Sequence, residues 1–301
     1  MDYAIGHGRW TPLHDPSSKD SSTAFPLNGV DLATVSDETL VVISKSSPVV
    51  YSLGSTKVVR LSTDLVLKFG AAIQIQEIEA MKHVLSHTSV ATPKLHRYFF
   101  VENEASAFRN WGYIVMDYVD GDMLEDIWKG LSSEKRTDVI KQVASIISQL
   151  QDVRFERPGP LGGGRARGFW FSDYGAGPFN SKVDFNEYFT NKLEFAQRVG
   201  RASKDLPRFD YSTFVLVHQD INPVNLIVDR NEKVWIIDWG NAGAYPAIFE
   251  AAAMNDSTMF GESNALLLPH TYNDAEERKH IMGVLWTTLS AGYAYSNADS
   301  I

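Results

Sequence analysis

The chain has 301 residues, 44% hydrophobic and 12% aromatic, with a formal charge of −9. That composition supports a globular protein with core enough for two lobes. The acidic balance argues against nucleic acid as the main partner, because phosphate backbones require basic surfaces. Cysteine is absent, which excludes disulfides and thiolate metal sites. No apolar run reaches the length of a membrane span, and Met1-Asp2-Tyr3 opens neither a basic nor a hydrophobic leader. A cytoplasmic protein without a membrane partner is the expectation.

Residues 1–40 are rich in loop formers, with Pro12, Pro16, Ser17, Ser18, Ser21 and Ser22 close together, and read as an N-terminal extension. Val58–Leu61 and Leu65–Phe69 read as strands joined by the turn Ser62-Thr63-Asp64. The second strand carries Lys68 among apolar neighbours, and burying a lysine is costly unless it is paired. A helix from about Ile73 to His87 follows. At about 100° per residue, Met81 and Val84 lie within about 40° of Glu77, whereas Glu79 is about 200° away. Glu77 is therefore on the apolar face and Glu79 on the solvated one.

Lys94–Phe100 and Tyr113–Val119 read as two further strands. Beyond about residue 122 the pattern turns mainly helical. Ser132 caps a segment whose apolar positions Val139, Ile140, Val143, Ile146, Ile147 and Leu150 recur at steps of three and four. The glycine-rich run Gly159–Gly168 lacks the lysine-hydroxyl pair of a phosphate loop and reads as a linker, bordering an acceptor pocket at most. Phe214–Val217, Leu226–Val228 and Val234–Ile237 are short enough to be strands, each bounded by polar or turn residues. Helices close the chain, about Ala247 to Met254 and Asp274 to Tyr295.

The chemistry concentrates in those last strands. Asp220 and Asn225 stand five positions apart in the connecting loop, and Asp238 follows the third apolar stretch. Strand ends on a rigid frame can aim such groups at one point. Phosphoryl transfer needs one carboxylate to orient or deprotonate an attacking hydroxyl and oxygen ligands to hold Mg²⁺ against a triphosphate.

His218-Gln219-Asp220-x-x-x-x-Asn225 followed by Ile237-Asp238-Trp239 resembles the signature of the aminoglycoside phosphotransferase and choline kinase-like enzymes, relatives of the protein kinases. Among these, the chain most resembles a large fungal branch. The resemblance implies a two-lobed α+β fold: a small antiparallel-sheet lobe with one helix over 41–118, and a larger, mainly helical catalytic lobe over 119–301. It implies an ATP- and Mg²⁺-dependent kinase acting on a small-molecule hydroxyl. Asp220 would be the catalytic carboxylate, and Asn225 and Asp238 the Mg²⁺ ligands. Lys68, paired with Glu77, would neutralise phosphates. The backbone near Asp117 to Val119 would hold the adenine, with Met116 behind it. His218 would brace the loop.

Two departures matter. No G-x-G-x-x-G precedes Lys68, so Ser52, Gly54 and Ser55 would cover the phosphates through a backbone nest. After Asp238 the chain runs almost directly into a helix, which leaves little to dock a polypeptide and favours a small acceptor. The net charge suits a cationic acceptor, and Asp173 and Glu187 stand in aromatic segments that could line a pocket for a cationic or aromatic one. The alternatives are a nucleotide-binding pseudokinase and a kinase fold recruited to other biosynthetic chemistry. Retention of Lys68, Asp220, Asn225 and Asp238 together argues against the first.

Overall fold

The computed structural model describes residues 15–256, apart from 21, 103–109, 169–170, 172–174 and 201. In chain order the elements are α1 (Asp37–Ile43), β1 (Val49–Leu53), β2 (Thr56–Arg60), β3 (Leu65–Gly70), α2 (Ile75–His87), β4 (Leu95–Glu102) and β5 (Asn110–Asp117). Then come β6 (Gly121–Met123), α3 (Leu124–Ile127), α4 (Ser133–Asp152), β7 (Arg154–Phe155), β8 (Gly159–Pro160) and α5 (Lys182–Arg198). The last are β9 (Phe214–Val217), β10 (Leu226–Asp229), β11 (Val234–Ile236), β12 (Gly243–Tyr245) and α6 (Ile248–Asp256). They divide into two compact units, residues 1–74 with 93–119, and residues 75–92 with 120–301. The α+β architecture expected from the sequence is what forms.

The first unit is one antiparallel sheet in the order β1-β2-β3-β5-β4. Its residues alternate between two faces. Val59, Leu67, Phe69, Tyr113 and Val115 point to one side, where they meet Leu27, Val35 and Leu40 from the N-terminal extension. The aromatic rings there stack, Phe99 on Tyr113 at 4.8 Å and Phe69 on Tyr113 at 5.6 Å between centroids. Helix α1 starts at Ser36, whose hydroxyl accepts the Thr39 N–H, and it buries Leu40 completely. Arg97 fastens the extension by donating to the carbonyls of Val35 and Leu32, at 2.5 and 2.8 Å.

Arg60 fastens it at a second point. Its guanidinium donates to the carbonyls of Ser62, Ser18 and Thr63, at 2.6, 3.0 and 2.7 Å, and lies 3.1 Å from the centre of the Tyr118 ring. The opposite face of the sheet carries Lys68 and Met116. The β3–β5 register pairs Lys68 with Ile114 and Val66 with Met116, so the two side chains emerge on one side.

The second unit holds most of the helices and two small sheets, β11-β10-β6 and β7-β9-β12-β8. Helix α4 is capped by the Ser132 hydroxyl, which accepts from Lys135 N–H, and it buries the stripe read from its periodicity, Val139, Ile140, Val143, Ile146, Ile147 and Leu150. Helix α5 begins at the Ser181 cap and buries Phe185, Phe189, Leu193 and Ala196. Phe185 and Phe189 meet Phe249 of α6 at 5.7 and 5.5 Å between centroids. Strand β9 is buried along its whole length. It lies between β7 and β12, and its end carries the loop with Asp220.

Helix α2 packs with this second unit although it follows β3 in sequence. Glu77, Ile78, Ala80, Met81 and Val84 are its buried residues. The chain leaving it runs beside β11, where Ile236 N–H donates to Ala91 O at 2.9 Å.

Candidate active site

Asp220 follows β9 in a turn made by its neighbours. The Asn225 amide donates to its carboxylate Oδ2 and to its carbonyl, both at 2.9 Å. The Asn222 amide donates to Oδ1 at 2.7 Å. Asn222 also caps the short 3₁₀ turn Pro223–Asn225, its Oδ1 accepting from Val224 N–H at 3.0 Å. Donors fix both carboxylate oxygens, so the half-buried side chain has a set direction.

His218 is fully buried and links the two aspartate loops. Its Nδ1 accepts from the Asp220 N–H at 3.2 Å, and its Nε2 lies 3.0 Å from the Ile237 carbonyl. One nitrogen faces a donor and the other an acceptor, which requires the neutral Nε2–H tautomer. The Ile237 N–H in turn donates to Asn225 O at 3.0 Å. The loop bearing Asp220 and Asn225 is thus stitched to the residue before Asp238.

Asp238 itself is exposed and left-handed, φ 64° and ψ 72°. Gln219, just before Asp220, is left-handed too, at φ 65°. With Glu232 in the β10–β11 turn they are the three left-handed non-glycines among the described residues, each storing strain of order 1 kcal/mol, and two of the three stand beside the aspartates. Near Asp238 stands Glu77. A Cβ built on Gly240 would lie 3.4 Å from Asp238 Oδ1 and 3.7 Å from Glu77 Oε2, so both carboxylates border the same glycine. Glu79 is half-exposed and pairs with Lys82 at 2.7 Å. The choice of Glu77 over Glu79 as the inward carboxylate follows this burial.

In the first unit Lys68 is buried, with 7% exposure, and Met116 is half-buried. Ser52 is half-buried in β1, and Gly54 and Ser55 are exposed at the β1–β2 turn. That turn folds close to the end of β3. A Cβ on Gly70 would lie 2.2 Å from Ser55 O, so only glycine fits there. The Asp117 carboxylate is engaged with Lys94 N–H at 3.0 Å and His96 Nε2 at 2.6 Å. Among the backbone donors near Val119, Asp117 N–H binds Lys94 O and Tyr118 N–H binds Asp64 O, at 3.1 and 2.7 Å. Of the two candidate acceptor residues, Glu187 is exposed on α5, on the side away from Phe185 and Phe189, and Asp173 lies outside the described residues.

Sequence reasoning passed over Asn222, Gln219 and Glu250. The Asn222-Pro223 pair was a signal, since asparagine before proline favours turn initiation. Glu250, on α6, is 2% exposed and accepts the N–H groups of His218 and Gln219 at 2.6 and 3.1 Å. Burial pushes its carboxyl up to about 8 despite those amides, and the nearby Asp220 charge pushes the same way. Nothing local marks it, because its partners are some thirty positions upstream.

The second unit thus carries a loop clamped by asparagines and histidine with a left-handed aspartate beside it, and the first unit carries a sheet bearing a buried lysine. Residues 45–277 match the family model described as the phosphotransferase enzyme family, and the chain belongs to that family. Solved structures share the fold at low identity. The streptomycin–ATP–APH(2″)-IIa ternary complex aligns at 16% identity over 87% of this chain and 92% of that one, with a TM-score of 0.54. The gentamicin–APH(2″)-IIa complex aligns at 16% over 89% and 93%, with a TM-score of 0.53. An apo thermostable mutant of APH(4)-Ia aligns at 15% over 85% and 92%, with a TM-score of 0.51. No curated protein sequence matches the chain. Among the described residues no helix is long and apolar enough to cross a membrane.

Proposed function

We propose that the protein transfers the γ-phosphoryl group of ATP to a hydroxyl of a small molecule, with Mg²⁺ as the counter-ion of the triphosphate. The observation that carries this reading is the fixed Asp220 carboxylate, gripped by Asn222 and Asn225 and tied through His218 to the residue before Asp238. In this reading Asp220 orients the acceptor hydroxyl and receives its proton as the bond to phosphorus forms. Because the transition state is loose, positioning contributes more than basicity.

Asn225 suits a hard cation. Its Nδ2 is spent on Asp220, which turns Oδ1 outward as an acceptor, and Asp238 adds an exposed carboxylate. Among the described residues no three His, Cys, Asp or Glu side chains gather into a metal-ligand group. A divalent ion would therefore rest on Asn225, Asp238 and phosphate oxygens, as Mg²⁺ in kinases does. When bound, it neutralises charge on the transferring phosphate. Lys68 is assigned to the α- and β-phosphates with Glu77 holding its ammonium, and Ser52, Gly54 and Ser55 to the phosphate cover.

For the adenine, the N–H groups of Asp117 and Tyr118 are already spent within the sheet. Val119 N–H is therefore the assigned donor and Asp117 O the acceptor, with Met116 behind the base. The acceptor is read as a small cationic or aromatic hydroxyl compound, held in part by Asp173 and Glu187, inside the cytoplasm.

The test is ATP consumption across a panel of hydroxylated amines and sugars. Some acceptor should raise Mg²⁺-dependent ADP release above background, and Asp220→Ala should lower it at least about 100-fold while nucleotide affinity stays near wild type. Undiminished turnover in Asp220→Ala would remove the assigned role.

A further inference from the structure

The glycine-rich run Gly159–Gly168 lies in the second unit and touches three elements that matter to the site. At its start, Gly159 and Pro160 of β8 pair with Ala244 and Gly243 of β12, a few residues beyond Asp238. In its middle it lies on α2. Gln76 Nε2 donates to Gly163 O at 2.9 Å, and a Cβ on Gly162 would lie 2.8 Å from Glu79 Cγ and 3.3 Å from Glu79 Cβ. At its end, a Cβ on Gly168 would lie 3.3 Å from Gln219 Oε1 and 3.3 Å from Asn241 Cβ. Gln219 Nε2 completes that corner by donating to Asn241 O at 2.7 Å. Near its end the run is pinned by a two-bond bridge between Ala166 and Ala176, at 2.8 and 2.9 Å.

The helix that this strap crosses is the one that carries Glu77, and Gln76 is its immediate neighbour. The residue at the strap's far end is Gln219, the immediate neighbour of Asp220. We infer that the strap is a clamp that fixes the Glu77 helix relative to the catalytic loop, with Gln76 as its positioning residue. The role given to Glu77 rests on the phosphotransferase reading; the clamping of α2 does not. A Cβ at Gly162 would press on the near end of the Glu79 side chain, whereas one at Gly164 would meet only the tip of Gln76, so Gly162 is the position where the crossing calls for glycine.

The geometry supplies its own control. Gly162 and Gly163 have nearly the same φ, 81° and 80°, but a Cβ on Gly163 would meet nothing within 4 Å. Gly162→Ala and Gly163→Ala therefore both place a side chain at positive φ, and only the first pushes on α2. Hydrogen exchange of the peptides covering residues 75–87, on the full chain without nucleotide, should accelerate about five-fold in Gly162→Ala and Gln76→Ala and stay near wild type in Gly163→Ala. KM for ATP should rise by a similar factor in the first two variants, about five-fold, with kcat less affected and Gly163→Ala again near wild type. Equal exchange in Gly162→Ala and Gly163→Ala would overturn the clamp, as would unchanged exchange in Gly162→Ala. Wild-type protein that neither binds nor turns over ATP would sink the functional reading and leave the exchange result to decide the clamp.

Discussion

Asp220 owes its direction to two amides from its own loop, and they differ in what else they do. Asn225 is the assigned metal ligand, whereas Asn222 holds Oδ1 and the Asp220 carbonyl and caps the turn. Asn222→Ala should lower kcat about ten-fold, near 1.4 kcal/mol, and leave KM for nucleotide unchanged. Steady-state kinetics decide it, and an unaltered kcat would mean that Asn225 suffices.

Glu250 acts at the same scale through pH. A carboxyl with an ordinary value of 4.5, pushed up to about 8 by burial, favours the folded state most when protonated. Its stabilising contribution is complete below pH 4.5 and is lost as pH rises toward 8. Glu250→Gln, which mimics the protonated form, should flatten the decline in urea-unfolding free energy between pH 5 and 8. An unchanged slope would place the carboxyl's titration elsewhere.

At the scale of elements, α2 is held at both ends within its unit, which also contains the Asp220 loop. Its C-terminal exit is locked by a buried bond from Trp239 Nε1 to Thr92 Oγ1, at 2.8 Å, with both residues almost fully buried. Thr92→Val keeps the shape and strands the indole N–H. Such a loss costs about 1–3 kcal/mol, readable as a lower urea midpoint. Wild-type stability in that variant would mean another acceptor serves the indole.

The strand signals were legible because they are local. Phe214–Val217 has the bounds that its apolar run gives, and β10 and β11 end within a residue of theirs. Helix α4 likewise buries the six residues that its 3.6-residue period selects. The glycine run was legible as irregular backbone but not as a strap, because its partners on α2 lie more than eighty positions away.

For the whole molecule, the fold class and the family followed from one motif and its spacing. Side-chain direction around that motif did not. Glu77 could be chosen over Glu79 because a helix has a fixed angular step, and the burial agrees. Asn222 could be read only as a turn residue and Glu250 not at all, because a hydrogen-bonding side chain looks the same in a turn, a core or a site until its partner is placed. The short strands β6, β7, β8 and β12 were hidden for a related reason. Strands of two or three residues carry too few positions to show a period.

The extension has a practical consequence for anyone preparing the protein. The family match begins at residue 45, yet Leu27, Val35 and Leu40 lie upstream and share the buried core on one face of the first sheet. A gene trimmed to the matched region would leave Leu67, Phe69, Tyr113 and Val115 wet, and the shortened product should precipitate.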